Sequence, residues 1–264
     1  MWFIFKATNH SFLMKVIFLF VQLVLFYHFS NSQSFEILVD NRDNRSYKTV
    51  KIGSQVWMAE NLGSQYFRNG DIIPQAKTKE EWFKASEEKT PAWCYYENDS
   101  SNNQKFGKLY NWYAVNDKRG LAPEGWIIPI STDVRQLIEY LCNLKGIREV
   151  GCVTPEPCKC SSVEVGDLVK LSINKEWGKK ATNKTGWSAA PGGFRVVWAS
   201  LKGEPVAYFK LKGTFAIWWL ADSMDPNQGG YSSNEFSMSD KNDFVGMSQS
   251  NRGFGFSVRC IRVD

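Results

Sequence analysis

The sequence predicts an α+β protein with early helices and a late antiparallel sheet, in one domain behind an export signal. Three observations carry that expectation. Helix-spaced apolar residues fall in the first half of the chain, before about residue 145. From Gly192 onward, short runs of alternating residues separated by turn signals dominate. No repeat, low-complexity tract or compositional break marks a second domain within the 264 residues. Hydrophobic content of 43% against 22% charged residues belongs to a globular chain and excludes wholesale disorder.

The first element is an address. Residues 1–32 carry no Asp or Glu and two basic residues, Lys6 and Lys15. The apolar run Val16–Tyr27 follows, and then the small-residue pattern Ser30-Asn31-Ser32. This is the order of a secretory signal peptide, and the run is short of the ~20 residues of a membrane span. An uncleaved anchor is the competing reading, and Met14 is an alternative start. Cleavage leaves a domain over 33–264, without a membrane span and secreted or held at the cell surface.

Within that domain, Tyr47–Ile52 and Gln55–Leu62 flank Gly53-Ser54 and predict a hairpin, after a turn-rich stretch at Asn41–Ser46. Residues 78–88 suggest a short charged helix. Leu109–Val115 suggests a second, more buried one. Ser131-Thr132-Asp133 offers N-caps to an amphipathic helix with Val134, Leu137, Ile138 and Leu141 on one face, running to about Lys145-Gly146. Phe194–Ala199 and Val206–Leu211 predict a second hairpin. Thr214–Leu220 and Phe244–Ser248 predict further strands. In Phe254–Arg262 the residues Phe254, Phe256, Val258 and Cys260 share one face.

Both histidines, His10 and His28, lie in residues 1–32, and losing that segment lowers the net charge from +5 to +3. A chain without histidine lacks the usual base of a Ser-His or Cys-His nucleophile and the imidazole ligands of zinc and non-heme iron sites. No motif singles out a catalytic carboxylate pair, so no enzyme is expected. The mild charge gives no reason to expect a nucleic-acid partner. Cys142, Cys152, Cys158 and Cys160 have the spacing C-x9-C-x5-C-x-C, unlike a zinc site, and an exported chain meets an oxidising compartment. Local disulfides joining Cys142 and Cys152 to Cys158 and Cys160 are expected in either arrangement, within a cysteine-rich surface insertion at about 142–165. That leaves Cys94 with Cys260, and Cys142–Cys260 is the competing pairing.

Several segments together resemble a family. Tyr47-Lys48-Thr49-Val50-Lys51-Ile52-Gly53-Ser54-Gln55-Val56-Trp57-Met58-Ala59-Glu60-Asn61-Leu62 is similar to the opening signature of the Fibrobacter succinogenes major paralogous domain. Pro91–Asp99, Phe106–Val115, Leu121–Pro129, Gly186–Arg195, Trp218-Trp219 and Gly255–Arg262 continue it in order. The resemblance implies an exported or cell-surface bacterial protein with a C-type-lectin-like fold, and no established activity. Family members often carry Cys where this chain has Ala122, so the family's partner for Cys260 is missing here.

A glycan or cell-envelope polymer is the expected ligand of such a module, because aromatic faces stack on sugar rings. Trp218, Trp219 and Tyr231 border a long polar segment, Asp222–Asp243, where ligands of this fold class sit. Within it Asp225-Pro226-Asn227 resembles a calcium-lectin loop, and Asn242-Asp243 offers further oxygens for a possible Ca²⁺. A structural envelope protein working through protein contacts is the alternative, and a carboxylate- or thiol-dependent enzyme a more distant one.

Overall fold

Three strands open the domain: β1 (Phe35–Asp40), β2 (Arg45–Ile52) and β3 (Gln55–Met58) form an antiparallel meander. The register Ile52↔Gln55 leaves Gly53-Ser54 as a two-residue loop, and Gly53 supplies the positive φ of +63° that it requires. The computed structural model describes residues 14–18, 35–147, 163–170, 177, 181–223 and 232–263. The chain divides into two units, Met1–Ser34 and Phe35–Asp264. Among the described residues no helix is long and apolar enough to cross a membrane.

Helix α1 (Lys79–Glu87) begins with a reciprocal cap: Thr78 Oγ1 accepts from Glu81 N–H, and the Glu81 carboxylate accepts from Thr78 N–H. β4 (Trp93–Cys94) pairs with β5 (Leu109–Tyr110), and the five-residue helix α2 (Asn102–Phe106) lies between them. The helix expected over 109–115 is therefore strand at its first two residues. Asn111 Oδ1 accepts from Ala114 N–H and starts only a single turn, α3 (Trp112–Val115). After β6 (Trp126–Ile127) comes α4 (Ser131–Leu144), where Val134, Leu137, Ile138 and Leu141 are all buried as the periodicity requires. Its cap lies one residue earlier than expected. Asp133 reaches back to Ile130 N–H, and Asp222 accepts from Ser131 N–H.

β7 (Val163–Glu164), the hairpin β8 (Phe194–Ala199) with β9 (Pro205–Lys210), then β10 (Phe215–Trp219), β11 (Ser232–Ser239), β12 (Phe244–Asn251) and β13 (Ile261–Arg262) complete the described elements. Among the described residues the sheets run β1-β2-β3-β13-β6 and β10-β11-β12-β7, with two-stranded β4-β5 and β8-β9. This corrects the predicted α+β fold. Strand outweighs helix, and the helices before α4 are short. The sheet is not late either, because residues 35–58, 126–127 and 261–262 share one five-stranded sheet. The C-type-lectin-like architecture with early helices falls with that finding.

The cysteine expectations are corrected too. Cys142 sits in α4 and packs in the main core, as does Val165, which is fully buried. The expected insertion at 142–165 is thus core at both described ends, and Cys152, Cys158 and Cys160 lie outside the described residues. Cys94 and Cys260 form no disulfide. Cys94 packs with Trp82 and Leu109, whereas Cys260 packs in a different cluster with Met58 and Phe67. Burial pushes the two thiols up to about 11 and about 12, and the charge of Arg195 lowers the first only partly.

Two of the three apolar clusters meet across the strands. On β10, Ala216 and Trp218 enter the cluster beneath α4, and Ile217 and Trp219 enter the other. Residues 255–262 thread between these layers, bridging backbone to Arg195, Tyr110 and Trp218 before β13 slots between β3 and β6. Both faces of that segment are buried, not one: Ser257 and Arg259 are as enclosed as Phe256 and Val258.

Candidate functional site

Of the sequence-predicted ligand residues, Trp218 and Trp219 fall among the described residues, and both are buried. Trp218 and Trp219 are 2% and 0% exposed, so neither ring offers a stacking face to solvent. Trp218 Nε1 donates to Asn61 Oδ1 at 2.9 Å, and Trp219 Nε1 donates to the Tyr110 carbonyl at 2.8 Å. Tyr231, Asp225 and Asn227 lie outside the described residues. Much of the expected polar loop is instead strand, since β11 begins at Ser232 and pairs with β10 and β12 along its length. Of the oxygens considered for Ca²⁺, those of Asn242 and Asp243 already face a cation. The buried Lys170 ammonium donates to the Asn242 carbonyl at 2.6 Å and to Asp243 Oδ1 at 3.1 Å. Among the described residues no group of three or more His, Cys, Asp or Glu is placed to hold a metal.

The signature residues build an internal polar knot. Asn61 Nδ2 donates to the Phe106 carbonyl and to Ser257 Oγ, while Asn61 Oδ1 accepts from Trp218 and from Arg259. The Arg259 guanidinium also donates to the Trp187 carbonyl and lies 4.0 Å over the Trp187 ring. Burial lowers its pKa to about 9. These groups are enclosed and, apart from the buried Trp187 indole N–H, mutually satisfied, so they hold the layers together and present nothing to a ligand.

What does face solvent is the hairpin of β8 and β9. Its inner face puts Val197, Ala207 and Phe209 against Trp82 and Ala85 of α1. Arg195 from the same face donates to the carbonyls of Ala76 and Thr78 and lies 4.7 Å over Trp82. Strand alternation then sends Trp198 and Tyr208 outward, on diagonal positions of the register Val196↔Tyr208 and Trp198↔Val206. Their rings meet edge to face, 5.3 Å apart at 78°, and the Lys210 ammonium lies 5.0 Å from the Tyr208 ring. Trp198 is 43% exposed and Tyr208 39%; every other described tryptophan is 8% exposed or less. The loop is braced by Ser200 Oγ, which accepts from Lys202 and Glu204 N–H.

Sequence reasoning found this hairpin and missed its pair. The signal was present: Trp198 shares a strand face with Val196, opposite the face of Arg195 and Val197 that packs inward. Choosing the outward face needed the helix α1 that covers the inner one.

The comparisons add the lineage. The family model described as Fibrobacter succinogenes major domain matches residues 50–262. Curated proteins and solved structures gave no match. The match covers the β8–β9 hairpin, the Asn61 knot and the closing segment, and the chain belongs to the Fibrobacter succinogenes major domain family.

Proposed function

We propose that the chain is an exported binding module of the bacterial cell surface, without catalysis, that holds a glycan or envelope polymer on the Trp198–Tyr208 face. The observation that carries this reading is the exposure of Trp198 in a protein that buries its other described tryptophans. An exposed indole costs apolar hydration unless something covers it, and a sugar ring covers it by stacking. Lys210 beside Tyr208 adds a donor for ring hydroxyls. Export is supported by the signal-peptide order of residues 1–32.

A glycan array on the wild-type chain, followed by Trp198→Ala, tests the reading. Retained ligands should be lost by about tenfold or more in affinity in the variant, with folding unchanged. Equal retention by Trp198→Ala overturns it. A second reading, protein contacts within the envelope, is favoured by the edge strand β1, where Phe35, Ile37 and Val39 form an exposed apolar stripe. Silence on the array, with capture of an envelope protein that is lost on Ile37→Lys, would favour it.

A further inference from the structure

A cleft of about 510 Å³ opens where β2 begins, against the turn that leads into α2. Arg45, Ser46 and Glu60 form one wall, and Ser100, Ser101, Asn103 and Gln104 the other. Every lining side chain is polar. The set offers hydroxyls and amides that both donate and accept, one carboxylate, and one guanidinium. No aromatic lines it, so it works by a different chemistry from the Trp198 face.

The charges in the cleft are unequally committed. Glu60 Oε2 accepts from Lys48 N–H at 3.0 Å. Arg45 Nη2 donates to the Asn103 carbonyl at 3.0 Å, and its guanidinium lies 5.1 Å over the Tyr47 ring. Among the described residues no carboxylate forms an ion pair with Arg45. Behind it the buried Lys108 ammonium donates to the Gly63 carbonyl. Burial, and then the nearby charge of Arg45, pushes that lysine down to about 8. Two cationic groups, Arg45 and Lys108, therefore stand near each other at the inner wall, with Asp43 acting against their repulsion. Gly63 makes room for Arg45, since a Cβ there would stand 2.8 Å from Asn103 Oδ1 and closer still to Arg45 Nη1. Asn103 Oδ1 is itself buried without a donor, which leaves an unused acceptor in the wall of the cleft.

We propose that this cleft binds an acidic saccharide residue, with its carboxylate on the Arg45 guanidinium and its ring hydroxyls among Ser46, Glu60, Ser101, Asn103 and Gln104. A planar guanidinium takes a carboxylate in two parallel hydrogen bonds, and a hydroxyl-amide wall suits a polyol. The site is independent of the Trp198 face and does not rest on the reading given for it.

Calorimetry on the purified chain tests it with an oligogalacturonate, the neutral galactose oligomer of equal length, and inorganic phosphate. The oligogalacturonate should bind, the neutral oligomer and phosphate should bind at least about tenfold more weakly, and added salt should weaken the complex. Arg45→Gln should cost about tenfold or more. Ser46→Glu, at an exposed side chain that leaves the fold intact, should abolish binding by placing a second negative charge in the cleft. Trp198→Ala should change nothing here, so failure of this site and failure of the aromatic face remain distinguishable. Absent oligogalacturonate heat, binding indifferent to Ser46→Glu, equal binding of the neutral oligomer, or equal binding of phosphate would each overturn the proposal.

Discussion

Arg259 and Asn61 show how a single residue can be indispensable without touching a ligand. Removing the amide with Asn61→Ala strands the Trp218 indole N–H and the Arg259 Nε–H in a sealed interior and leaves Nη2 only its bond to the Ser188 carbonyl. Leaving a buried donor unsatisfied typically costs about 1–3 kcal/mol, and more on a charged group. Urea denaturation of Asn61→Ala should show a loss of that order, whereas Trp198→Ala should shift stability by less than about 1 kcal/mol. Titrating residues add a pH signature. Burial raises the Glu235 carboxyl to about 7, only partly offset by its bond from Ser248 Oγ, so the folded chain holds a proton that the unfolded chain releases above about 4.5. Its stability contribution is complete at low pH and falls by about 3 kcal/mol as pH rises to 7. Lys108 has the opposite sign: lowered to about 8, it makes the chain gain stability as pH rises from 8 toward 10.5. Chemical denaturation across pH 4–10 should therefore find a minimum between pH 7 and 8. Glu235→Gln should flatten the acid side of that minimum and leave the alkaline side unchanged.

At the scale of elements, legibility followed how local the cause was. Helix α4 was readable because one face, Val134 to Leu141, faces one core. The first hairpin was readable because a two-residue glycine turn fixes its register. β11 was not readable, since Ser-Ser-Asn-Glu-Phe-Ser-Met-Ser offers only Phe236 and Met238 as apolar residues. Its buried polar groups find distant partners: Ser233 with Arg252, Asn234 with Ser131, and Glu235 with Ser248 through one carboxylate oxygen, the other being buried without a donor. The hairpin of β8 and β9 depends on Gly193, at φ +65°, where a Cβ would lie 2.4 Å from the Lys210 carbonyl oxygen. Gly193→Ala should cost at least ~2 kcal/mol in thermal or chemical denaturation. Gly203→Ala, at φ +79° in open space, should cost only about 1 kcal/mol.

Across the whole molecule, the signature segments marked the scaffold and not the faces proposed to bind. Trp187, Asn61, Trp218 and Arg259 are recognisable in sequence because the knot they form admits few substitutes. Trp198 and the Arg45 cleft belong to no such knot, so nothing in the local sequence set them apart. The two thiols followed the scaffold as well. Cys94 and Cys260 should resist iodoacetamide in the folded chain and react fully in denaturant, as peptide mapping by mass spectrometry would show. Equal labelling of Cys260 in both states would contradict its burial.

The closing segment carries a consequence for the order of folding. Residues 255–262 supply backbone partners to β3, β5, β6, β8 and β10, elements drawn from most of the domain. A chain emerging from the ribosome cannot complete either large core until those residues are available, however long the earlier strands have existed. Any truncation ahead of Gly255 should therefore behave as an open, protease-sensitive polypeptide. Under the export proposed above, that delay would keep the polypeptide unfolded until transit.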